Sequence, residues 1–318
     1  NFAISTILIK TSFKKSNGNE SFTFDNFQNN RLIIANRLAL KNGNPSGDID
    51  EFGFPLGYGK NNQAVLIPAF ISAYSGKDPN GISLSAITST PLPNWSLQYS
   101  GLINLEFFKD RFKRFSIGHS YRSSYTLNSF KSNLEFDSKD STLKDLSGNF
   151  LNEILYTNIN LVEQFNPLLK IDMELKNSIR LVVALKKDRA LSLSLDNNLL
   201  TETSGTDYSV GFGYRIKDLK FRSGFGGRQT VSKGDLNIKA DVNLRDNITI
   251  IRNLNILDNK VTAGQTMWSL KLSADYALSK SFNAVFFYDH LFSKFAISTA
   301  FPMTTIRSGM TLRYNFGE

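Results

Sequence analysis

The chain of 318 residues contains no cysteine and only two histidines. The absence of cysteine excludes a disulfide framework and thiolate metal sites. With only His119 and His290 as nitrogen ligands, far apart in the sequence, we predict no metal site and no cofactor. The acidic residues Asp48, Asp50 and Glu51 lack the spacing of a calcium-binding EF-hand loop and are interpreted as part of a solvated loop.

Long hydrophobic runs are also missing. The longest mostly apolar run, residues 64–74, contains Pro68 and is too short for a membrane-spanning helix. Lys and Arg number 37 against 28 Asp and Glu, for a net charge of +9, but the basic residues are scattered among the acidic ones. Nucleic-acid-binding proteins concentrate basic charge on one surface. We therefore expect no nucleic-acid partner.

Strict alternation of apolar and polar residues is the main feature that is present. It is clearest in residues 266–279, 282–289 and 306–316, and a period of two is typical of a strand with one apolar and one polar face. We predict about 12 strands, at residues 2–13, 94–102, 112–136, 154–164, 168–176, 178–187, 189–196, 207–216, 236–245, 266–279, 282–289 and 306–316. Loops are predicted at residues 217–234 and 253–265.

Residues 15–93 differ from the rest of the chain and predict an insertion of helices and loops, with the helical part at residues 23–76. Phe24, Phe27, Arg31, Ile34 and Leu38 step by three and four, as on one face of a helix, with residue 23 or 25 as N-cap. A shorter helix is predicted from residue 63 to residue 74. Two helices in an otherwise β chain are expected to cover a sheet edge, to lie inside a lumen or to cap one end.

The strand pattern favours a membrane barrel over a soluble sandwich. Several predicted strands exceed the usual length of about five or six residues. The polar faces carry charges at mid-strand, and the apolar faces carry aromatic residues near the strand ends, as in outer-membrane barrels. We therefore predict an all-β fold: an antiparallel transmembrane β-barrel segment in the outer membrane, in contact with membrane lipids.

The two faces predict two sets of site residues. The predicted lumen-facing residues, which would keep the wall hydrated, are Arg114, Arg122, Lys239, Asp241, Arg245, Lys271, Asp275, Arg307 and Arg313. The predicted lipid-facing residues are Trp268, Leu270, Leu272, Tyr276, Phe282, Phe286, Met310, Leu312 and Tyr314. Tyr314 and Phe316 resemble the C-terminal signal read by the bacterial barrel-insertion machinery, although that signal usually ends on the aromatic residue itself.

Five runs resemble, in the same order, parts of one known family. They are residues 69–76 (AFISAYSG), 94–102 (NWSLQYSGL), 116–125 (SIGHSYRSSY), 163–168 (EQFNPL) and 244–247 (LRDN). The family is SprA/Sov, the outer-membrane translocon of the type IX secretion system. The resemblance covers nearly the whole chain and implies that residues 1–318 are the C-terminal portion of a single-chain barrel of about 36 strands.

The resemblance also implies a function and partners. A SprA-type lumen passes folded proteins across the outer membrane, and the family is linked to gliding motility. The implied partners are the upstream remainder of the same barrel, PorV-type and plug-type proteins at a lateral opening, and the secreted cargo. The start of the chain within a strand, without a signal peptide, agrees with a piece of a longer protein.

Two other functions are considered. A self-contained outer-membrane porin or solute channel of about 12 strands would show the same alternation. An outer-membrane lipase would need a catalytic histidine, for which His290 beside Asp289 is the candidate, but no serine stands in a recognisable nucleophile context. We predict no catalytic residue and no enzymatic activity, and we interpret His119 as a packed side chain within an aromatic row.

Overall fold

The computed structural model describes residues 1–18, 20–42, 47–88, 90–140, 142–225, 228–256, 258–278, 282–297, 301–314 and 316, without the side chains of residues 221–232. Most of these residues form one antiparallel sheet of ten strands. The strands are β1 (Phe2–Ser5), β2 (Trp95–Tyr99), β3 (Phe112–Ser132), β4 (Ile154–Leu175), β5 (Ile179–Ser194), β6 (Leu199–Phe225), β7 (Arg228–Asn253), β8 (Asn259–Ala277), β9 (Phe282–Phe295) and β10 (Met303–Tyr314). The α-helices are α1 (Ile9–Ser12), α2 (Phe22–Lys41), α3 (Gln63–Ser75) and α4 (Glu106–Arg111).

The sheet has a simple up-and-down order. From β3 to β10 each strand pairs with the next strand along the chain. The short strands β1 and β2 lie end to end along the free side of β3, opposite residues 124–127 and 117–121 respectively. The opposite edge is β10, and within the described residues the two edges do not pair, so the sheet is open.

The predicted antiparallel sheet is confirmed, but the predicted count of about 12 strands is wrong. Two expected turns lie inside continuous strands. Near Pro167 the pairing of β4 with β5 shifts between Phe165 and Leu169, because proline has no N–H to donate to the ladder and is accommodated at a bulge. The charged run at residues 186–189 also continues as strand, since β5 pairs with β6 without interruption.

Further boundaries differ from the prediction, as three examples show. The first predicted strand ends at Ser5, and residues 9–12 form the single turn α1. The predicted loop at residues 217–234 is mostly strand, because residues 219–225 pair with residues 228–234; residues 226 and 227 lie outside the described residues. The predicted loop at 253–265 ends early, since β8 begins at Asn259. Pairing with a long neighbouring strand decides these positions more than local composition does.

The two predicted helices are confirmed. The N-cap of α2 is Ser21, whose hydroxyl accepts a hydrogen bond from the Phe24 N–H at 3.3 Å, rather than residue 23 or 25. Helix α3 ends at Gly76, which has the left-handed φ of 66° that glycine adopts without strain. No helix in the described ranges is long and apolar enough to cross a membrane.

The main hydrophobic core lies between these helices and one half of the sheet. The Phe27 and Phe70 rings of α2 and α3 meet edge-on at 5.9 Å. Residues 65–75 of α3 are buried on every side, which explains why α3 is apolar all round. The strands contribute fully buried side chains to this core, namely Leu127, Ile159, Leu161, Leu191, Leu193 and Leu200.

Replacing Ser21 by alanine is expected to destabilise the first turn of α2 by about 1 kcal/mol, because the Phe24 N–H loses its acceptor. Hydrogen–deuterium exchange of the first-turn amides should accelerate correspondingly. The control is Ser138→Ala in an exposed loop turn, which should leave this exchange unchanged. Unchanged exchange in both variants would contradict a stabilising role for the Ser21 cap.

Candidate functional site

One face of the sheet carries apolar side chains in rows that cross the strands. In an antiparallel pair, directly opposed residues project to the same face. Trp268 of β8 pairs with Leu244 of β7 and Phe292 of β9. Two residues along β8, Leu270 pairs with Val242 and His290. The rows continue across the neighbouring strands with the same alternation.

These rows form a continuous surface, which we call the apolar band. It consists of Leu97, Tyr99, Phe115, Ile117, Leu169, Ile171, Met173, Ile179, Leu181, Val183, Leu185, Tyr208, Val210, Phe212, Tyr214, Ile216, Leu236, Ile238, Ala240, Val242, Leu244, Trp268, Leu270, Leu272, Ala274, Tyr276, Phe282, Ala284, Phe286, Tyr288, His290, Phe292, Ile306, Met310, Leu312 and Tyr314. All nine predicted lipid-facing residues belong to it. That they meet lipid stays a prediction.

The length of the apolar band along a strand can be compared with the apolar girdle of an outer-membrane barrel. On β9 it runs from Phe282 to Phe292, which is about 33 Å along a strand that rises about 3.3 Å per residue. With the tilt of about 40° usual in outer-membrane barrels, this length corresponds to a band about 25 Å tall. Several members are strongly exposed, including Phe286 and Met310 at 53% each.

The opposite face of the sheet is polar, and all nine predicted lumen-facing residues lie on it. One row reads Asp241, Lys271, Asp289 and Arg307 on four successive strands, so the charge alternates in sign from strand to strand. The Arg307 guanidinium lies 3.1 Å from the Asp289 carboxylate. At the other side of the sheet, the Asp172 carboxylate lies 3.0 Å from both Arg114 and Arg180. The sequence analysis did not include Asp289 or Arg180 among the lumen-facing residues, although strand parity assigns both to this face.

The helical insertion lies on the same face as the apolar band, not on the polar face. On the uninterrupted strand β5, Leu185 belongs to the band and Leu191 and Leu193 belong to the helical core, and all three have the same parity. This face of the strands therefore has two apolar parts. One part packs against α2 and α3, and the other is the exposed apolar band. The insertion packs on the face of the sheet. We had expected it to cover a sheet edge, to lie inside a lumen or to cap one end.

Two buried ion pairs separate the helical core from the apolar band. The first joins Arg189 of β5 to Glu163 of β4 at 3.1 Å, with side chains 7% and 2% exposed. Glu163 also accepts hydrogen bonds from the Ser12 hydroxyl at 2.5 Å and the Tyr121 hydroxyl at 2.9 Å. Arg189 donates to the backbone oxygen and the hydroxyl of Thr11 at 3.2 and 2.9 Å.

The second pair repeats this arrangement two strands further along. Arg252 of β7 lies 3.2 Å from Glu202 of β6, and both side chains are almost fully buried. The Ser16 hydroxyl donates to Glu202 at 2.8 Å, and Arg252 donates to Ser16 and to the Asn17 backbone oxygen at 2.9 and 3.0 Å. Both pairs therefore hold residues 11–17 against the sheet.

A buried tyrosine of the insertion adjoins both ion pairs. Arg189 lies 5.9 Å from the centre of the Tyr74 ring, and the Tyr74 backbone oxygen accepts a hydrogen bond from Thr11. Burial raises the pKa of the Tyr74 hydroxyl far above its ordinary value, with the nearby Glu202 carboxylate acting in the same direction. The hydroxyl therefore stays neutral and adds no charge to this region.

The two histidines have different surroundings. His119 is packed between Trp95 and Phe165, and its Nδ1 lies 2.7 Å from the Leu168 backbone oxygen, which confirms a packed side chain. His290 lies in the apolar band, with its ring centre 4.7 Å from that of Trp268. Asp289 projects from the opposite face toward Arg307. The neighbouring His290 and Asp289 are therefore not arranged as a catalytic pair.

The predicted last strand, residues 306–316, is found as β10 at Met303–Tyr314, so Tyr314 ends the strand and Phe316 lies beyond it. The Tyr314 ring contacts Phe282 of β9 at 6.3 Å and Phe316 at 4.7 Å. Phe316 is 95% exposed, and residues 317 and 318 lie outside the described residues. The role of Tyr314 and Phe316 as a barrel-insertion signal stays a prediction.

Sequence reasoning missed the four charged residues of the buried ion pairs. The signal was present, because Glu163 has the same strand parity as Leu161, and Arg189 the same parity as Leu191. A charged residue on the apolar face of each of two neighbouring strands indicates a buried pair rather than a turn. Comparisons with known proteins found no protein-family model and no curated protein that matches the chain.

Proposed function

We propose that this chain forms part of the wall of an outer-membrane β-barrel, with the apolar band toward lipid and the polar face toward a water-filled lumen. The register of the sheet carries the proposal. It aligns apolar residues of nine strands, β2 to β10, into one band and collects the predicted lumen charges on the other face. Outer-membrane barrels combine an apolar exterior band with a polar interior in this way.

A soluble β-sandwich accounts for the open half of the sheet less well. A sandwich buries its apolar face against a second sheet, whereas in the described part of the chain no second sheet packs on this face. Soluble proteins rarely expose apolar patches larger than a few hundred Å². An apolar band across nine strands fits a lipid environment better.

The position of the insertion follows from the same proposal. Because α2 and α3 share a face with the apolar band, they lie on the outer surface of the wall, beyond the hydrocarbon layer, and not in the lumen. The long connection at residues 133–153 is at their end of the sheet, and the three-residue connection between β4 and β5 is at the other. Outer-membrane barrels have longer loops outside the cell and short turns in the periplasm. The insertion is therefore extracellular.

The resemblance to SprA/Sov extends the proposal to type IX secretion. The wall would belong to a channel that exports folded proteins, with PorV-type and plug-type partner proteins. The open sheet supports this reading over a self-contained porin, since a porin needs a closed sheet. The alternating charges of the polar face also support it, because a hydrated surface of mixed sign offers a passing protein no large patch of one charge to bind.

Paired cysteine variants test both faces, since the chain has no native cysteine. In vesicles, Ser273→Cys on the polar face should react with a membrane-impermeant maleimide, and Leu272→Cys in the apolar band should react only after solubilisation and unfolding. In secreting cells, a short bifunctional cross-linker should join Ser273→Cys to proteins that are also recovered from the medium.

The outcomes separate the candidate functions. Equal labelling of both variants in intact vesicles would refute the membrane wall. Selective labelling of Ser273→Cys without cross-links to exported proteins would favour a porin or solute channel over a translocon. The Leu272→Cys variant is the matched control for the cross-linking, because it should yield no adduct with cargo.

A further inference from the structure

The connection between β2 and β3 presents large apolar side chains to the surroundings. It consists of a 3₁₀ turn, Gly101–Asn104, followed by α4. Leu105 is 55% exposed and Phe107 is 60% exposed. Within the described residues no other element packs over these two side chains. We call residues 101–111 the foot.

The foot is continuous with the apolar band. The Phe108 ring lies 5.7 Å from Phe112 and 4.8 Å from Phe115, which is a member of the band. The band residues Leu97 and Tyr99 lie just before the foot and are 61% and 57% exposed. The apolar surface therefore runs from the sheet onto the foot, at the end of the sheet opposite the helical insertion.

Basic residues lie near these apolar side chains. The Arg111 guanidinium lies 4.0 Å from the centre of the Phe107 ring. The Lys176 N–H donates to the Arg111 backbone oxygen at 3.1 Å, so the β4–β5 turn brings another lysine beside the foot. In the part of the chain that the structure describes, Lys109, Arg111 and Lys176 form no ion pair. The exposed carboxylates of Glu106 and Asp110 are the anions on α4 itself.

The foot is unfavourably placed both in water and in the hydrocarbon layer of a membrane. Water would leave Leu105 and Phe107 unfavourably hydrated. The hydrocarbon layer would leave the backbone groups at the ends of these two short turns without partners. The boundary between headgroups and acyl chains accepts apolar side chains on one side and attracts Lys and Arg to anionic headgroups on the other.

We propose that the foot binds anionic phospholipid headgroups at the periplasmic boundary of the membrane, with Leu105 and Phe107 in the acyl region and Lys109, Arg111 and Lys176 toward the phosphates. This inference rests on the proposed function, because it requires the apolar band to face lipid. It assigns a lipid-binding site to a segment for which sequence analysis gave no role. The site anchors the β2–β3 edge of the sheet at a fixed depth.

Fluorescence quenching in vesicles of the full-length native protein tests the proposal. The reporter is Phe107→Trp in a background in which Trp95, Trp268 and any tryptophan outside these 318 residues are replaced by phenylalanine. Spin-labelled phosphatidylglycerol should quench its emission more strongly than spin-labelled phosphatidylcholine at the same mole fraction. The preference should fall about five-fold for each cation removed in Lys109→Gln and Arg111→Gln. Lys139→Gln, in a loop at the other end of the sheet, is the control and should leave it unchanged. Added inorganic phosphate should not compete.

A second reporter separates failure of this inference from failure of the proposed function. With Trp268 kept as the only tryptophan, it reports on the apolar band and should be quenched by phosphatidylcholine brominated along its acyl chains. If Trp268 is quenched and the Phe107→Trp reporter is not, the foot is not at the membrane and only this inference is overturned. Equal quenching by the two spin-labelled lipids would also overturn it. If neither reporter is quenched, the membrane wall itself is refuted.

Discussion

Replacing Leu272 by arginine is expected to destabilise the protein in a bilayer by about 2–4 kcal/mol, the cost of a cation near the midplane on the lipid face of a barrel. Leu272 lies in the middle of the apolar band, paired with Ala240 and Tyr288. It is already 39% exposed, so the substitution neither opens a cavity nor breaks a hydrogen bond. The cost would come from transferring the charge into hydrocarbon. Urea unfolding of the protein in vesicles, followed by tryptophan fluorescence, measures it.

The adjacent residue is the matched control for this experiment. Ser273 lies on the polar face of the same strand, paired with Lys239 and Phe287. Ser273→Arg should cost no more than about 0.5 kcal/mol, as for other solvated surface positions. If the two arginine variants have the same stability, Leu272 does not meet lipid and the proposed orientation of the sheet is wrong.

Replacing Arg252 by methionine should lower the free energy of unfolding by about 3–5 kcal/mol, because the Glu202 carboxylate is left buried without its cation. The control is Arg307→Met, which breaks the pair with Asp289. There the arginine is 71% exposed, and the expected cost is between about 0 and 1 kcal/mol. Denaturant unfolding of the two variants gives the comparison.

A double variant distinguishes loss of the pair from loss of packing. Arg252→Met combined with Glu202→Leu removes both charges, and replacement of a whole buried pair by apolar residues is often close to neutral. We therefore expect most of the stability lost in Arg252→Met to return. If the double variant is as unstable as the single one, the contacts of Arg252 with Ser16 and Asn17 matter more than its pairing with Glu202.

Strand alternation in the sequence predicted most of the sheet. In β8, β9 and β10 each strand pairs with the next along the chain, and every residue selected for either face lies on the expected side. Helix α3 was recognisable from its length and from Gly76. In these segments the local pattern and the tertiary contacts agree, so a single stretch of sequence is informative.

Prediction failed where a distant partner decides the structure. Nothing near residues 217–225 indicates a strand, but pairing with β7 makes one. The predicted interruption at residue 188 is wrong because β5 is continuous there, and Arg189 is buried against Glu163 on another strand and Thr11, which is 178 positions away. The side of the sheet on which the insertion packs depends on contacts of this kind. No local pattern contains that information.

The ion pairs that hold residues 11–17 have a consequence for the order of folding. Ser12 contacts Glu163 across 151 positions of sequence, and Ser16 contacts Arg252 across 236. Contacts over such separations close large loops and carry an entropic cost until the intervening chain is organised. We therefore expect strands β4 to β7 to pair before residues 11–17 reach their final position. Residues 11–17 would then settle after the strands that follow them in the chain.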